Sequence, residues 1–350
     1  MAMISTKNRK QNNTFIAKNY LLFSLFFFIN LAVAQSTIDV HSHIILPEYM
    51  EVLKKNHAEF EEKFPLPQWD ATLHIKFMEE AGIDYSILTM PSPQPYFGDT
   101  QESQRIIRTI NEVSATLKIS YPGKFKFCAS LPLPDVNASI KEAIYALDTL
   151  HADCIKLASN SRGQYIGDVE LDPLMDVLNE RNAVLIIHPN RPTPYSDQII
   201  TTTPLAMYEY PAETTRGIVN MISRNVLVHY PNVKVVVPHA GSFLPMALPR
   251  MKSIHPIMVA KEMMGSIDWE TNMSKLYYDL AGNPTPDIIK MLLTITTPDH
   301  IMYGSDFPYQ PTSVLLKNKN MLQENIQNDK ALAPYLQMFL SENARHLFKK

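Results

Sequence analysis

Eight short, apolar, β-type runs recur along the chain with helix-like segments between them, and this alternation limits the fold more than any other feature of the sequence. The runs are Thr37 to His43, Asp84 to Met90, Lys124 to Leu131, Cys154 to Ala158, Ala183 to His188, Lys234 to His239, Lys275 to Leu280 and His300 to Asp306. Parallel strands need crossovers of a dozen or more residues, usually helical, and the connecting segments have that length and character. Gln68 to Ala81 places Leu73, Phe77 and Met78 on one side and stops at Gly82, a residue that tolerates the left-handed backbone of a helix end. Asp135 can cap Ala138 to Leu150, where Ile140, Ile144 and Leu147 recur at helical spacing, and Thr312 to Leu347 reads as two helices. Eight strand–helix units predict an α/β chain closed into one (β/α)₈ TIM barrel.

The candidate chemistry falls at the ends of these runs. His41-Ser42-His43 closes the first, and two imidazoles at i and i+2 on a strand share a face, so both can grip one ion. Taken alone, the tripeptide equally suits a metal pair or an exposed strand end. His188 ends the fifth run, His239 the sixth and Asp306 the eighth. A closed barrel brings these five side chains to one mouth, on the C-terminal face whose loops build active sites in this architecture. Three proline clusters, at 91–95, 189–194 and 308–311, follow strands and belong to the same face. Nitrogen and carboxylate donors of borderline hardness suit one divalent ion, Zn²⁺ first, with Mn²⁺, Fe²⁺ or Co²⁺ as alternatives. Such a set leaves a position for water or substrate. Phe243, Phe307 and Tyr309 are next to these residues in sequence and are candidates to touch an aromatic ring. The other histidines, His74 among them, stand at no strand's C-terminal end and are expected to be structural. The connection from Ile44 to Pro67 is either a cap over the mouth or a solvated surface helix.

Before the first run, Lys7, Arg9, Lys10 and Lys18 form a basic region, Leu21 to Ala34 is apolar, and Ala32-Val33-Ala34 resembles a small-residue cleavage site. Residues 1–34 are therefore expected to be a cleaved export signal, leaving 35–350 as a single periplasmic or secreted domain. Removing those four positive charges takes the formal net charge from −3 to −7. So acidic a chain does not suit nucleic acid, nor, once the signal is gone, an anionic membrane. Cys128 and Cys154 fall in or beside apolar runs, where cysteine usually behaves as a small buried hydrophobe. In an exported protein they could pair, but two cysteines are not a disulfide framework, and they are assigned no role.

With these residues in place the chain resembles the amidohydrolase superfamily, and within it the branch of aromatic and muconate decarboxylases. The resemblance runs from Asp39-Val40-His41-Ser42-His43 to Glu342-Asn343-Ala344-Arg345-His346-Leu347-Phe348. It implies His41, His43, His188 and Asp306 as metal ligands and His239 as the acid/base group. Tyr210-Pro211-Ala212-Glu213-Thr214-Thr215-Arg216 is similar to the segment that opens the helix between strands five and six in these enzymes. His239-Ala240-Gly241-Ser242-Phe243 followed by Arg250 resembles the stretch in which an arginine contacts the substrate carboxylate, in some members across a dimer interface. Arg250 is thus the implied carboxylate-binding residue, Phe307 joins it as a substrate-binding candidate from its place beside Asp306, and a homodimer is the implied assembly. No arginine precedes Trp69-Asp70 after the signal, which departs from the muconate type and leaves salicylate-like acids.

Three functions fit this reading. The first is non-oxidative decarboxylation of a small aromatic or unsaturated carboxylate, with a proton delivered through His239 or Asp306. The second is hydrolysis of an amide, lactone or ester on the same site. A non-catalytic binding protein is the third, and it would require a lost or misplaced ligand.

Overall fold

Backbone pairing in the computed structural model, which describes residues 36–60, 65–195 and 203–349, orders the eight strands as they follow in sequence. They are β1 (Thr37–His43), β2 (Ile83–Thr89), β3 (Phe125–Ser130), β4 (Cys154–Ala158), β5 (Val184–His188), β6 (Lys234–Val237), β7 (Leu276–Asp279) and β8 (Ile301–Met302). Every neighbouring pair is parallel. The expected export signal, 1–34, and the centre of the expected cap, 61–64, lie outside the described residues.

The eighth run is shorter as a strand than its apolar pattern suggests, because its second half bonds to β1 instead. Val40 N donates to Tyr303 O at 3.0 Å, Asp306 N to His41 O at 2.8 Å and His43 N to Phe307 O at 2.8 Å. These bonds close the sheet into the expected barrel and join the two segments that carry His41, His43 and Asp306.

The helices form where caps and periodicity put them. Asp70 accepts from Leu73 N at 2.8 Å to open Ala71–Ala81, and Gly82 ends it at φ +63°. Asp135 accepts from Ala138 N at 2.9 Å to open Val136–Asp148. The inward stripe of Ala71–Ala81 is His74, Phe77, Met78 and Ala81, whereas Leu73 is half exposed. The imidazole displaces the leucine because 74, 77, 78 and 81 share one helical face. Thr312–Asn328 is one helix, but the chain beyond it runs through a short 3₁₀ turn and a π turn into the final helix Asn343–Leu347.

Inside the barrel, the lower layer is a dry cluster of Ile38, Val40, Ile87, Val184, Ile186, Val236 and Met302. Ala344, Leu347 and Phe348 from the C-terminal helix plug it from below. Cys128 and Cys154 belong to this layer and, although assigned no role from sequence, form a disulfide between adjacent strands. Their pairing is set by register, since Cys128 faces Cys154 directly across β3 and β4 with Cα atoms 4.3 Å apart.

Candidate metal centre

A β-bulge in β1 changes which side chains face the interior. Asp39 pairs with Ser86 and Ser42 with Leu88, so three steps along β1 match two along β2. Ile38 and Val40 therefore pack into the apolar floor, while the next residue, His41, already joins the mouth with His43. The buried carboxylate of Asp39 holds the irregularity together. It accepts from His41 N at 3.1 Å, from Ser305 N at 2.9 Å and from Ser305 Oγ at 2.5 Å. Burial pushes the Asp39 carboxyl up to about 6 despite those three donors. Gly304 completes the approach, because a Cβ there would lie 2.7 Å from the Cβ of His41.

One donor atom each from His41, His43, His188 and Asp306 lies within 4.8 Å of all the others. Three imidazoles reach this point with their outer nitrogens already held. His41 Nδ1 donates to Asp279 Oδ2 at 2.8 Å. His43 Nδ1 donates to Thr89 Oγ1 at 3.0 Å, whose own hydroxyl donates to Ser42 O. His188 Nδ1 donates to Pro189 O at 3.0 Å, with Ser92 Oγ beside it at 3.1 Å. These partners fix the Nδ1–H tautomers and aim each Nε2 lone pair at the centre, as outer partners do for metal-binding histidines. His41 Nε2 is buried with no hydrogen-bond partner, and Asp306 Oδ1 stands 3.0 Å from His43 Nε2 and 3.4 Å from His41 Nε2.

The electrostatics agree with that geometry. Burial pulls the His43 imidazole down to about 4 and carries His188 well below its ordinary range. For His41 burial is outweighed by the Asp279 and Asp306 carboxylates, which raise it to about 9. Burial would raise the Asp306 carboxyl, but the adjoining His43 ring and the charge of His41 hold it at about 2. The centre thus favours a positive charge, and three nitrogens with one ionised carboxylate fit a single divalent cation displacing a proton.

Beside this point opens a cavity of about 290 Å³ lined by His188, His239, Asp306, Tyr210, Tyr309 and Gln310. His239 adopts φ +56° just after β6, and its backbone N–H donates to Asp279 Oδ1 at 3.0 Å. Its ring lies 5.1 Å from that of His41, and its Nδ1 is buried without a partner. Burial and the neighbouring His41 lower its pKa.

Two residues expected near the substrate stand elsewhere. Phe307 turns away from the mouth and stacks on Phe77 at 4.6 Å and His74 at 4.5 Å, because the residue after an inward Asp306 points to the helix layer. Arg250 is exposed on helix Leu244–Ala260 and lines neither the cavity nor the centre. Asp279, Thr89, Ser92, Tyr210 and Gln310 were not singled out for these positions in the sequence. Only Asp279 carried a signal, a carboxylate at the end of Leu276-Tyr277-Tyr278 like the ligands at the other strand ends. Among the described residues, no helix is long and apolar enough to cross a membrane.

Comparison with known proteins matches residues 38–350 to a family model described as amidohydrolase. The 6-methylsalicylic acid decarboxylase of Penicillium expansum is 30% identical over 291 residues, covering 82% of this chain and 89% of that protein. A solved amidohydrolase II superposes with a TM-score of 0.82 at 30% identity, covering 90% of this chain and all of that one. The 5-carboxyvanillate decarboxylase of Novosphingobium aromaticivorans, solved with manganese and 4-hydroxy-3-methoxy-5-nitrobenzoic acid, superposes with a TM-score of 0.76 at 21% identity. That pair covers 90% of this chain and 96% of the other, and shares the fold.

Proposed function

The chain belongs to the amidohydrolase family, and from that membership we propose that it is a metal-dependent carboxy-lyase that removes CO₂ from a one-ring, salicylate-like acid. One observation carries the reading: three imidazoles locked by outer partners meet Asp306 at the wall of a cavity sized for a single ring. The likeness to a 6-methylsalicylic acid decarboxylase over most of both chains favours decarboxylation over hydrolysis.

In this reading His41, His43, His188 and Asp306 hold one divalent ion, which when bound polarises the substrate through its carboxylate or an adjacent hydroxyl. Tyr309 and Tyr210 flank the ring, and Gln310 supplies a polar contact at its edge. His239 is the group placed to hold the proton. The proton goes to the ring carbon bearing the carboxylate, and as CO₂ leaves, the electrons of the broken C–C bond return to the ring. Zn²⁺ is the ion we assign from the donor set, and the manganese of the N. aromaticivorans enzyme makes Mn²⁺ the alternative.

Arg250 has a role in this scheme only as a residue offered to a second subunit, since it is exposed and outside its own chain's cavity. We propose a homodimer for that reason. Export follows from the basic and apolar leader, and the Cys128–Cys154 bridge suits an oxidising compartment. N-terminal sequencing of the exported protein is expected to begin at Gln35.

The test is CO₂ release by the reconstituted enzyme from 6-methylsalicylate and a panel of hydroxybenzoates. Release from at least one, lost on chelation and restored by metal, is the expected result. Turnover of lactones or esters with no CO₂ from any acid would replace this reading with hydrolysis.

A further inference from the structure

A second cavity, of about 180 Å³, opens on the same face of the barrel and shares no lining residue with the metal cavity. Its walls come from the loops after β2, β4 and β5, with Leu133 from the loop after β3. The β4 loop contributes a two-residue hairpin in which Asn160–Ser161 pairs with Gln164–Tyr165 around Arg162 and Gly163. Both turn residues have positive φ, +55° and +89°, as a tight hairpin of this kind requires, and a Cβ on Gly163 would press on Thr193 O at 3.0 Å. Arginine is an unusual choice for such a position and carries backbone strain there, which directs attention to its side chain.

That side chain is fixed at the rim. Its Nε donates to Tyr96 O at 3.0 Å, Nη2 donates to the same carbonyl, and the guanidinium lies 5.3 Å from the Phe97 ring centroid. No carboxylate among the described residues pairs with Arg162, and none lines the cavity, to which Arg191 brings a second guanidinium. Deeper in, Ser161 Oγ and Asn190 Oδ1 are buried with no hydrogen-bond partner, and Gln94 is 7% exposed. Buried polar groups are normally paired, so this set is arranged for something that enters.

The walls are preformed. Asn160 Nδ2 donates to Arg191 O at 3.1 Å and to the buried Glu213 at 2.8 Å, while Asn190 Nδ2 donates to Asn160 O at 3.2 Å. The hairpin, the β5 loop and helix Glu209–Ser223 are thereby tied together behind the cavity.

We propose that this cavity is a second ligand site that binds one small hydroxylated carboxylate, separate from the metal centre. The guanidinium edge of Arg162 takes the carboxylate, for which its planar donors are matched. The hydroxyl donates to Asn190 Oδ1, and Ser161 and Gln94 satisfy the remaining lone pairs. The volume admits one ring or less.

Isothermal titration of the metal-loaded enzyme with 3-hydroxybenzoate tests this by stoichiometry, with a readout independent of whether the enzyme releases CO₂. Two equivalents per chain are expected. In Arg162→Gln one of them weakens by about tenfold or more, with melting temperature and turnover of the best substrate unchanged. Gln94→Met, which removes the polar end at similar volume, weakens the same equivalent. 3-Hydroxybenzyl alcohol, which lacks the charge, fills only the metal cavity or neither. A single equivalent weakened by Arg162→Gln would uphold this site and count against the metal cavity as the acid's site, whereas equivalents that Arg162→Gln leaves undiminished, one or two, would overturn the proposal.

Discussion

The floor and the mouth of this barrel are built on the same strands, yet they obey opposite rules. At the floor Ile38, Val40, Ile186 and Val236 fill the interior with apolar volume, and the C-terminal helix seals it. Within a few residues further along the same strands the interior holds the buried His41, His43 and His188 with a partly buried Asp306, and each imidazole depends on a polar partner. Close packing makes the floor a source of stability that any apolar residue of the right size can supply. The mouth detracts from stability instead, since burying imidazoles and carboxylates costs free energy unless every one is paired. Separation along the strand axis lets one barrel do both.

That contrast can be broken from either end. The largest effect is expected from Asp306→Asn, which removes the ionised oxygen that faces the Nε2 atoms of both His41 and His43. Bound metal measured by elemental analysis should be lost and turnover should fall by about a thousandfold or more, with little change in melting temperature measured without metal. Unchanged metal content would mean the four groups are not ligands.

Ile186→Ala at the floor should do the reverse. Denaturant unfolding should show a loss of about 2–5 kcal/mol, the usual range for such a truncation in a packed interior. Its kcat at a temperature where it remains folded should match the wild type, and a large fall in kcat would show that floor and mouth are coupled.

Asp279→Asn sharpens the comparison, because Asp279 does not line the cavity and holds His41 and the His239 backbone. A metal titration should give affinity about 10–100-fold weaker, the range found for outer partners of metal-binding histidines. Parity with the wild type would reduce Asp279 to a structural residue.

The smallest effect concerns His74, which backs the mouth from the helix layer. Burial lowers its pKa from 6.5 to about 3, with Trp69 donating to its Nδ1 at 3.1 Å. Because the fold keeps this imidazole neutral and the unfolded chain protonates it, its contribution is intact above pH 6.5 and declines as pH falls toward 3. At pH 5 the loss is about 2 kcal/mol. Unfolding measured at pH 7 and pH 5 should show a loss in His74→Leu smaller than that of the wild type by about this amount.

Much of this was legible in the chain itself. The eight runs and their connections announced a barrel because strand and helix periodicities are local, carried by residues two or four positions apart. The histidines and Asp306 were visible for the same reason, each standing at the end of an apolar run. His74 was read correctly as structural, although its place in the core stripe went to Leu73, since an imidazole does not advertise that it will be buried neutral. Phe307 was misplaced because sequence proximity to Asp306 says nothing of which way the next side chain turns.

What folding alone decided is everything that depends on residues far apart in the chain. The bulge that brings His41 inward is held by Asp39 and Ser305, 266 positions apart, and the ring of His41 is set by Asp279, 238 positions away. The bridge between Cys128 and Cys154 needed the register of two strands, and the second cavity needed four loops to meet. Periodic burial is written in neighbouring residues, so the sequence determined the scaffold and its candidate ligands. A hydrogen bond between distant segments leaves no local pattern, so their orientation, partners and surroundings belonged to the tertiary structure.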